Sequence, residues 1–467
     1  MSIFNVEDAK RFLLGRVNYE TFQQMPYPEM RQNLERLQAF LTFLGRPDKR
    51  FPIIHVAGTK GKGSTCAMID AILSEAGFRV GCFTSPHLHS LNERFTIGGI
   101  SCSDARLVEI VRDLAGQWDK WQQAKENDGI HRELTFFEWT TLFAFEFFAR
   151  EQVDVGVIET GLGGTFDATN ICEPKLCVIT SIALEHTEQL GDRLALIAGE
   201  KAGIIKQNVP VISGVTPVEG DDPQAVIRKF AAQNNAPLFE MHRDFEIVPN
   251  PHGTLDFVSH TPKNPIMVHD LVLKPLGQHQ QHNAALAIAA ALNLRHDGWH
   301  VPDDAIRKVL AGLEIPGRVE PIMIPGKQPG VSQPTIIVDG AHNPSSAEAL
   351  RQTLAGLPVL GRKTLLFGTT LGKDVAGMLE TLLPFFDRVV FSQYRSSRRA
   401  FPVEPLAILA ENILQKQRAD EIPASIKIAF SVSEALKNVL TDAAPQDLIC
   451  IAGSLYFAAE AREYLLH

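Results

Sequence analysis

Residues 55–65 read HVAGTKGKGST and join an apolar run, residues 51–57, to a helical pattern that spans residues 63–76. Gly77 follows that pattern and is expected to end the helix. A strand, a glycine loop with lysine, hydroxyl side chains and a helix form the arrangement that holds a nucleotide triphosphate. Loop amides and the helix start carry partial positive charge there. The sequence therefore predicts a phosphate site at this point.

The spacing of the loop departs from the usual G-x-x-x-x-G-K-[ST] pattern, because only two residues separate its first two glycines and a third glycine precedes the serine. A lysine adds a full positive charge, and a hydroxyl is in position to reach Mg²⁺. The predicted phosphate-binding residues are Gly58, Thr59, Lys60, Gly61, Lys62, Gly63, Ser64 and Thr65.

Composition limits the possible functions. The chain has 467 residues, 45% of them hydrophobic and 21% charged, which suits a globular protein too long for one core. The net charge of -9 does not suggest a sequence-wide surface for nucleic acid. The most apolar stretch, residues 136–149, falls short of the ~20 residues of a membrane span. The six cysteines of the chain form no C-x-x-C pair, so we expect neither a zinc cluster nor a disulfide framework. This cysteine pattern fits a reducing compartment, and we expect a cytoplasmic location.

Strands alternate with helices along the chain, which predicts an α/β fold with a doubly wound, mostly parallel sheet. A second alternation begins beyond a connector near residue 314 and predicts a smaller α/β domain. We therefore expect domains at residues 1–314 and 315–467. The predicted strands after the first are residues 79–83, 153–159, 175–182 and 209–213, then residues 335–338, 363–367, 388–392, 426–430 and 448–452.

Three polar side chains follow predicted strands of the first domain, namely Ser85, Glu159 and His186. Ligands of such sheets lie at the carboxyl ends of strands, so these residues can share one crevice with the glycine loop. Glu159 is either a ligand for Mg²⁺ or a solvated carboxylate at a strand end. A lone histidine such as His186 is more often structural than functional.

Other candidates also have two interpretations. Lys201 is either functional or a favourable charge near a helix C-terminus. Asp339 begins DGAHN after a strand of the second domain, where function and turn chemistry are equally consistent with the pattern. Arg318 is either a linker charge or a planar clamp for phosphate.

Seven motifs now occur in an order that resembles the folylpolyglutamate synthases and dihydrofolate synthases of the Mur ligase superfamily. The resemblance spans roughly residues 30–460. TSPHL and ERF point to the folate branch rather than to the peptidoglycan ligases. The motifs are AGTKGKGST (57–65), TSPHL (84–88) with ERF (93–95), ETGLGG (159–164), EKAGI (200–204), PGR (316–318), DGAHN (339–343) and GSLY (453–456).

The resemblance implies a P-loop ATPase domain with a folate site, followed by a Rossmann-like glutamate ligase domain. It implies that ATP phosphorylates the carboxylate of a folate or dihydropteroate, and that L-glutamate then forms an amide with release of phosphate. A monomer is expected, without nucleic acid or membrane as partner. Two alternatives stay open: a Mur-type ligase with a non-folate acceptor, and a nucleotide-binding regulatory protein without turnover.

The resemblance also assigns roles, and Lys201 matches a lysine that is carbamylated in many members. The implied catalytic residues are Lys62, Glu159, His186 and Lys201. The resemblance implies that Ser64, Ser85, Glu159 and His186 bind one or two Mg²⁺ ions. Asn283, Arg318 and Asp339 join the loop in binding ATP. The implied folate-binding residues are Thr84, Ser85, Pro86, His87 and Arg94. The implied glutamate-binding residues are His342 and Ser454.

Two positions depart from the family pattern. Lys60 stands where many bacterial members have Asn, although other members carry Lys. Glu185 replaces the Asp that usually precedes the metal-binding histidine.

Overall fold

The strand that leads into the glycine loop, β1 (Ile53–Ala57), lies inside an eight-stranded sheet. It pairs in parallel with β5 (Val155–Glu159) and β6 (Leu176–Ile179). The computed structural model describes residues 3–18, 27–124, 133–260, 266–324, 333–395, 399–417 and 425–467. The chain forms two units. The amino-terminal unit comprises Met1–Leu273 and Gln280–Leu313, and the carboxy-terminal unit comprises Lys274–His279 and Glu314–His467.

The helices and strands up to residue 313 belong to the amino-terminal unit. Helix α9 (Gln278–Arg295) begins in the segment Lys274–His279 of the carboxy-terminal unit and continues in the amino-terminal unit. Its strands are β1 (Ile53–Ala57), β2 (Val80–Phe83), β3 (Phe95–Ile97), β4 (Ile100–Ser101), β5 (Val155–Glu159), β6 (Leu176–Ile179), β7 (Val211–Ser213), β8 (Leu238–Glu240), β9 (Phe245–Pro249), β10 (Leu255–Ser259) and β11 (Met267–Leu271). Its helices are α1 (Val6–Leu14), α2 (Tyr27–Phe43), α3 (Lys62–Glu75), α4 (Asp104–Ala124), α5 (Phe136–Arg150), α6 (Thr187–Leu190), α7 (Leu194–Ala202), α8 (Pro223–Gln233), α9 (Gln278–Arg295) and α10 (Asp303–Gly312).

The main sheet has the order β4-β3-β2-β5-β1-β6-β7-β8, and β9 to β11 form a separate antiparallel sheet. Within the part β2-β5-β1-β6-β7-β8 of this sheet, every pair of neighbouring strands is parallel, which confirms the predicted mostly parallel sheet. Strand glycines let aromatic rings approach the backbone: a Cβ at Gly81 would stand 2.6 Å from Phe148, and one at Gly156 would stand 2.7 Å from Phe51. The rings belong to an aromatic core that α4 and α5 complete.

The carboxy-terminal unit is a second α/β fold with a six-stranded sheet in the order β12-β13-β17-β14-β15-β16. Alternate residues of β13 enter two different cores, with Ile337 in one and Ile336 and Val338 in the other, so helices cover both faces. The elements are β12 (Glu320–Ile322), β13 (Thr335–Val338), α11 (Pro344–Ala355), β14 (Lys363–Phe367), α12 (Val375–Leu382), β15 (Arg388–Ser392), α13 (Val403–Gln417), β16 (Ser425–Ala429), α14 (Val432–Asp442), β17 (Leu448–Ala452) and α15 (Leu455–Leu466).

Short strand-like pieces that the sequence indicates within residues 240–275 correspond to β9, β10 and β11, whereas four short strands escaped the sequence interpretation: β3, β4, β8 and β12. Each has two or three residues, too few for a two-residue alternation to stand out. All six cysteines are buried free thiols. Among the described residues, no helix has the length and apolar character needed to cross a membrane.

Candidate active site

The glycine loop connects β1 to α3 and leaves the amino end of this helix without a side-chain cap. The N-cap is Gly61, whose φ of 85° lies in the left-handed region that glycine adopts without strain. The helix begins at Lys62, one residue before the predicted start. Because a glycine cap has no side chain to accept the first amide hydrogens, these donors are oriented for an anion.

Residues that follow β6 hold the glycine loop in place. The Thr59 amide donates to the Ser181 carbonyl over 2.7 Å, and the Thr180 hydroxyl donates to the Lys60 carbonyl over 2.6 Å. A Cβ at Gly58 would stand 1.9 Å from the Thr180 hydroxyl oxygen. The loop therefore needs both a glycine at this position and the residues that follow β6.

Asn283 of α9 lies directly behind the loop. A Cβ at Gly61 would stand 2.2 Å from Asn283 Oδ1, so only glycine fits there. Asn283 is buried and donates from Nδ2 to Gln280 Oε1 over 3.0 Å. The structure thus brings Asn283 and the predicted phosphate loop together, although more than 200 residues separate them in sequence.

Glu159 ends β5 and is buried beside the start of α3. Its Oε2 accepts a hydrogen bond from the Ser85 amide over 3.0 Å, and its Oε1 lies 3.9 Å from Lys62 Nζ. Gly63 has no side chain that would narrow this space, since a Cβ there would stand 3.5 Å from Glu159 Oε2. Ser85, Lys62 and Gly63 therefore lie around one buried carboxylate, which opposes the interpretation of Glu159 as solvated.

Two buried hydroxyls close to these residues lack a hydrogen-bond partner within the described parts of the chain. They are Thr65 Oγ1 on the first turns of α3 and Thr160 Oγ1 directly after Glu159. Ser64 is also buried. Buried polar atoms normally have partners, so unpaired hydroxyls next to an open helix end are consistent with a polar ligand there.

Lys201 extends from the last turn of α7 into the loop and donates from Nζ to the Gly58 carbonyl over 2.8 Å. The side chain is buried, and this burial, followed by the positive charge of Lys62, lowers the pKa of Lys201 to about 7. A large fraction of the amine is therefore neutral near physiological pH. This depressed pKa and the contact with the loop oppose the interpretation of Lys201 as a helix-end charge.

Lys60 and Glu185, the two departures from the family pattern, form an ion pair with 2.6 Å between Nζ and Oε1. Burial acts to raise the pKa of Glu185, but attraction and hydrogen bonding from Lys60 outweigh it and lower the pKa to about 2. His186 follows in a left-handed conformation, φ 52°, and is exposed.

The predicted metal ligands offer oxygen donors rather than a cluster of charged groups. Within the residues that the structure describes, no three His, Cys, Asp or Glu side chains are close enough to hold a metal ion. The predicted set, Ser64, Ser85, Glu159 and His186, contains only two such side chains. Carboxylate and hydroxyl oxygens are hard donors that suit Mg²⁺, which also retains waters.

The predicted folate loop, residues 84–88, is held by the ERF motif. Thr84 donates from its amide to the Arg94 carbonyl over 3.1 Å, and Arg94 donates from Nε to His87 Nδ1 over 2.9 Å. The Arg94 guanidinium is buried 5.0 Å from the ring centre of Phe136. Arg94 therefore orients His87, a role that the sequence did not indicate. Pro86 follows a cis peptide bond in the same loop.

Asp167 is a buried residue that the sequence analysis missed. Its Oδ2 accepts hydrogen bonds from the Gly161 and Leu162 amides, both at 2.9 Å, and its Oδ1 accepts one from the Thr169 amide at 3.0 Å. Burial raises the pKa of Asp167 in spite of these bonds. An Asp two residues before a Thr at the end of a glycine loop is a helix-cap pattern that sequence reasoning is able to find.

In the carboxy-terminal unit, Arg318 and Asp339 lie together. Asp339 is buried, its Oδ2 accepts from the Val319 amide and its Oδ1 from the Ala341 amide, both at 2.8 Å. Burial raises the pKa of Asp339, and the charge of Arg318 opposes this. A Cβ at Gly340 would stand 2.7 Å from Arg318 Nη1. The structure therefore gives Asp339 a turn-forming role.

His342 and Ser454 follow neighbouring strands, β13 and β17. His342 Nδ1 lies 2.8 Å from the Gly340 carbonyl oxygen. Ser454 is the N-cap of α15, where its hydroxyl accepts from the Tyr456 amide over 3.1 Å. The Gly453 amide donates to the Ala341 carbonyl over 3.0 Å and joins the two turns.

Two family models match the chain. The Mur ligase middle domain matches residues 56–291, and the Mur ligase, glutamate ligase domain, matches residues 317–455. Among curated proteins, the chain is 32% identical to the dihydrofolate synthase/folylpolyglutamate synthase of Bacillus subtilis, over 98% of this chain and 99% of that protein. It is 34% identical to the protein of the same name from Mycobacterium tuberculosis, over 96% and 93% of the two chains.

Solved structures give a similar result over the whole chain. Mycobacterium tuberculosis folylpolyglutamate synthase complexed with ADP is similar with a TM-score of 0.80, 31% identity and coverage of 98% of this chain and 97% of that one. Escherichia coli FolC in complex with DHPP and ADP has a TM-score of 0.79, 29% identity and coverage of 98% and 97%.

Proposed function

Because the chain belongs to the folylpolyglutamate synthase and dihydrofolate synthase family of Mur ligases, we propose that it joins L-glutamate to the carboxylate of a folate or dihydropteroate, using ATP. The observation that supports this most directly is the uncapped start of α3, where Lys62 faces the buried carboxylate of Glu159. Relatives with these names match nearly the whole chain, and a similar structure contains DHPP and ADP.

The first step is transfer of the terminal phosphoryl group of ATP to the acceptor carboxylate, which gives an acyl phosphate and ADP. A carboxylate is a poor electrophile, and phosphorylation supplies its leaving group. The amides at the start of α3 and the Lys62 ammonium stabilise negative charge on the transferred group. Asn283, which contacts the loop through Gly61, belongs to the same nucleotide site.

The second step is attack by the amine of L-glutamate on the acyl phosphate, which forms the amide and releases inorganic phosphate and a proton. We assign glutamate binding to His342 and Ser454, and nucleotide contacts to Arg318 and Asp339. Residues 1–314 then form the ATP-binding domain with the folate site at residues 84–88 and Arg94, and residues 315–467 form the glutamate ligase domain.

Mg²⁺ is part of this proposal. Glu159 lies 3.9 Å from Lys62 and accepts a hydrogen bond from the Ser85 amide. We propose that its carboxylate, the hydroxyls of Ser64 and Ser85 and the His186 side chain would hold the ion. The ion supplies charge neutralisation for the phosphates of ATP. A second ion is proposed beside a carbamate formed on Lys201, whose neutral amine is able to react with carbon dioxide. A ¹³C carbamate signal after incubation with labelled bicarbonate tests that modification, and Lys201→Met is its control.

The reaction is tested by phosphate release from purified protein with ATP, Mg²⁺ and glutamate. Dihydropteroate and tetrahydrofolate are compared as acceptors, and the product is weighed by mass spectrometry. We expect release that depends on the acceptor and on glutamate, with a mass increase of one or more glutamate residues. Folded protein that stays inactive with every folate-type acceptor contradicts the proposal, and turnover with a nucleotide-sugar peptide supports the alternative Mur-type acceptor.

We also propose that the protein is a cytoplasmic monomer. Six buried free thiols suit a reducing compartment. Light scattering at micromolar concentration tests the monomer, and a mass of twice 51.5 kDa contradicts it.

A further inference from the structure

We infer that Lys60 and Glu185 are a positioning pair that fixes the phosphate loop to the segment between β6 and α6, and that Lys60 serves this pair rather than the nucleotide. The inference deepens the proposed function and rests on it for the reaction that is affected. Both residues lie in the amino-terminal unit, and 125 positions separate them.

The contact itself is short and partly shielded from water. Nζ and Oε1 are 2.6 Å apart, and the two side chains are 33% and 21% exposed. Exposed pairs contribute little, whereas partial burial reduces screening by salt and water. The pair therefore has a defined geometry that a freely solvated lysine lacks.

The ion pair continues a series of neutral contacts between the same two segments. Thr59 donates from its amide to the Ser181 carbonyl over 2.7 Å, and the Lys60 amide donates to Ser181 Oγ over 3.1 Å. The Ala183 amide donates to Thr59 Oγ1 over 3.1 Å. These bonds reach Ala183, and the Lys60 side chain extends the connection by two residues to Glu185.

Glu185 immediately precedes His186, which has a strained backbone for a residue with a Cβ. Its φ of 52° and ψ of 41° lie in the left-handed region. Such a conformation is unfavourable for a residue with a Cβ and persists only where surrounding contacts enforce it. By fixing Glu185, Lys60 limits the conformations open to His186, and this is how the pair acts on the proposed metal site.

The charges around the pair allow the two possible roles of Lys60 to be separated. Glu185 interacts with Lys60, His186 and Lys62, and Lys201 interacts with Lys60, Lys62 and Glu185. Removal of Glu185 therefore takes away a negative charge that interacts with Lys60 and Lys62. If Lys60 were a phosphate ligand, removing Glu185 would release it and tighten ADP binding. If Lys60 positions the loop, removing either partner has the same consequence.

The test is a double-mutant cycle with Lys60→Ala, Glu185→Ala and the double variant. We expect each single variant to lower kcat about tenfold and the double variant to be no worse than either, because the partners act as a unit. ADP affinity, measured by calorimetry without acceptor, should stay within about twofold of the parent value. Lys60→Arg should retain most of the activity, since its guanidinium also pairs with a carboxylate.

The matched control is the Lys308–Glu75 pair, which has the same 2.6 Å separation in the same unit and joins α10 to the end of α3. Its alanine variants should leave kcat unchanged. A tenfold loss of ADP affinity in Lys60→Ala together with tighter binding in Glu185→Ala overturns the inference, as do additive losses of kcat.

Hydrogen exchange separates a failure of this inference from a failure of the proposed function. In the nucleotide-free protein, the amides of residues 181–186 should exchange faster in both single variants, whether or not any folate is a substrate. Unchanged exchange in both variants overturns the positioning role. Faster exchange in a protein that has no folate-dependent turnover supports the pair and contradicts only the proposed function.

Discussion

Helices α3 and α11 each follow the carboxyl end of a parallel strand, yet their amino ends are satisfied differently. Helix α3 begins after Gly61, which has no side chain to accept from the first amides. Helix α11 begins after Asn343, whose Oδ1 accepts from the Ser346 amide over 2.9 Å in a capping box. The first helix end retains donors for a ligand, and the second uses its own side chains to close the turn.

Acidic side chains near the two helices differ in the same way. Glu159 faces Lys62, with 3.9 Å between its Oε1 and the lysine Nζ. Both carboxylate oxygens of Asp339 accept hydrogen bonds from backbone amides, at 2.8 Å each. A carboxylate at a strand end thus stabilises backbone geometry in the carboxy-terminal unit, whereas we propose a ligand role for the one in the amino-terminal unit. Substitution of Lys62 should therefore affect activity more than stability, and substitution of Asp339 should lower stability.

The largest effect is expected for Lys62→Ala. Loss of a cation that stabilises the transferred phosphoryl group should lower kcat by about 10²–10³-fold. Thermal unfolding should change little, because the ion pair of this side chain with Glu159 is long, at 3.9 Å. Phosphate release and circular dichroism are the measurements.

Lys308→Ala, on α10, is the control that should keep full activity. Near-normal turnover of Lys62→Ala would contradict the prediction, because catalysis at the start of α3 would then not require the lysine.

Lys201 should make stability depend on pH. Its folded pKa of about 7 lies below its ordinary value of 10.5, so the unfolded chain binds more protons between these values. Stability therefore rises with pH across this window, and the cost of burying the charge is complete only below about pH 7. Relative to Lys201→Met, the parent protein should be less stable at about pH 6, and the difference should shrink towards about pH 9.

Urea denaturation in bicarbonate-free buffer measures this difference, because a carbamate would add its own charge. Parallel stability curves for the two proteins would show that Lys201 titrates alike in the folded and unfolded states.

Asp339→Asn should lower the free energy of unfolding of the carboxy-terminal unit by about 1–3 kcal/mol, since one of two buried amides loses its acceptor. The control is Asp374→Asn, because Asp374 caps α12 through one oxygen, which asparagine retains. Urea unfolding followed by hydrogen exchange resolves the unit. Lost ADP binding at unchanged stability would contradict the predicted loss of stability and would support only the nucleotide contact proposed for Asp339.

Much of this fold was predictable because its signals are local. Buried parallel strands are short apolar runs, and the predicted strands at residues 335–338, 363–367, 388–392 and 448–452 agree with β13, β14, β15 and β17. The glycine loop was visible for the same reason. Short strands such as β12 were not, because pairing with β13 rather than a pattern of its own stabilises it.

The site was predictable in part. Strand-end logic placed Glu159 and Ser85 near the loop, and the Ser85 amide indeed donates to Glu159. It did not reveal that Arg94 is buried behind His87, because the sequence shows only a charged residue in a polar stretch. Asp167 escaped for a similar reason, since its three backbone partners become visible only when the chain has folded around it.

The sequence by itself determined the α/β class, the order of the motifs and the position of the phosphate loop, because strand periodicity and glycine spacing are properties of neighbouring residues. Tertiary structure alone decided how the charges pair. Lys60 and Glu185 looked like two separate departures, and they became one contact when β6 paired with β1. The depressed pKa of Lys201 has the same origin, since burial and the charge of Lys62 depend on residues that folding brings together.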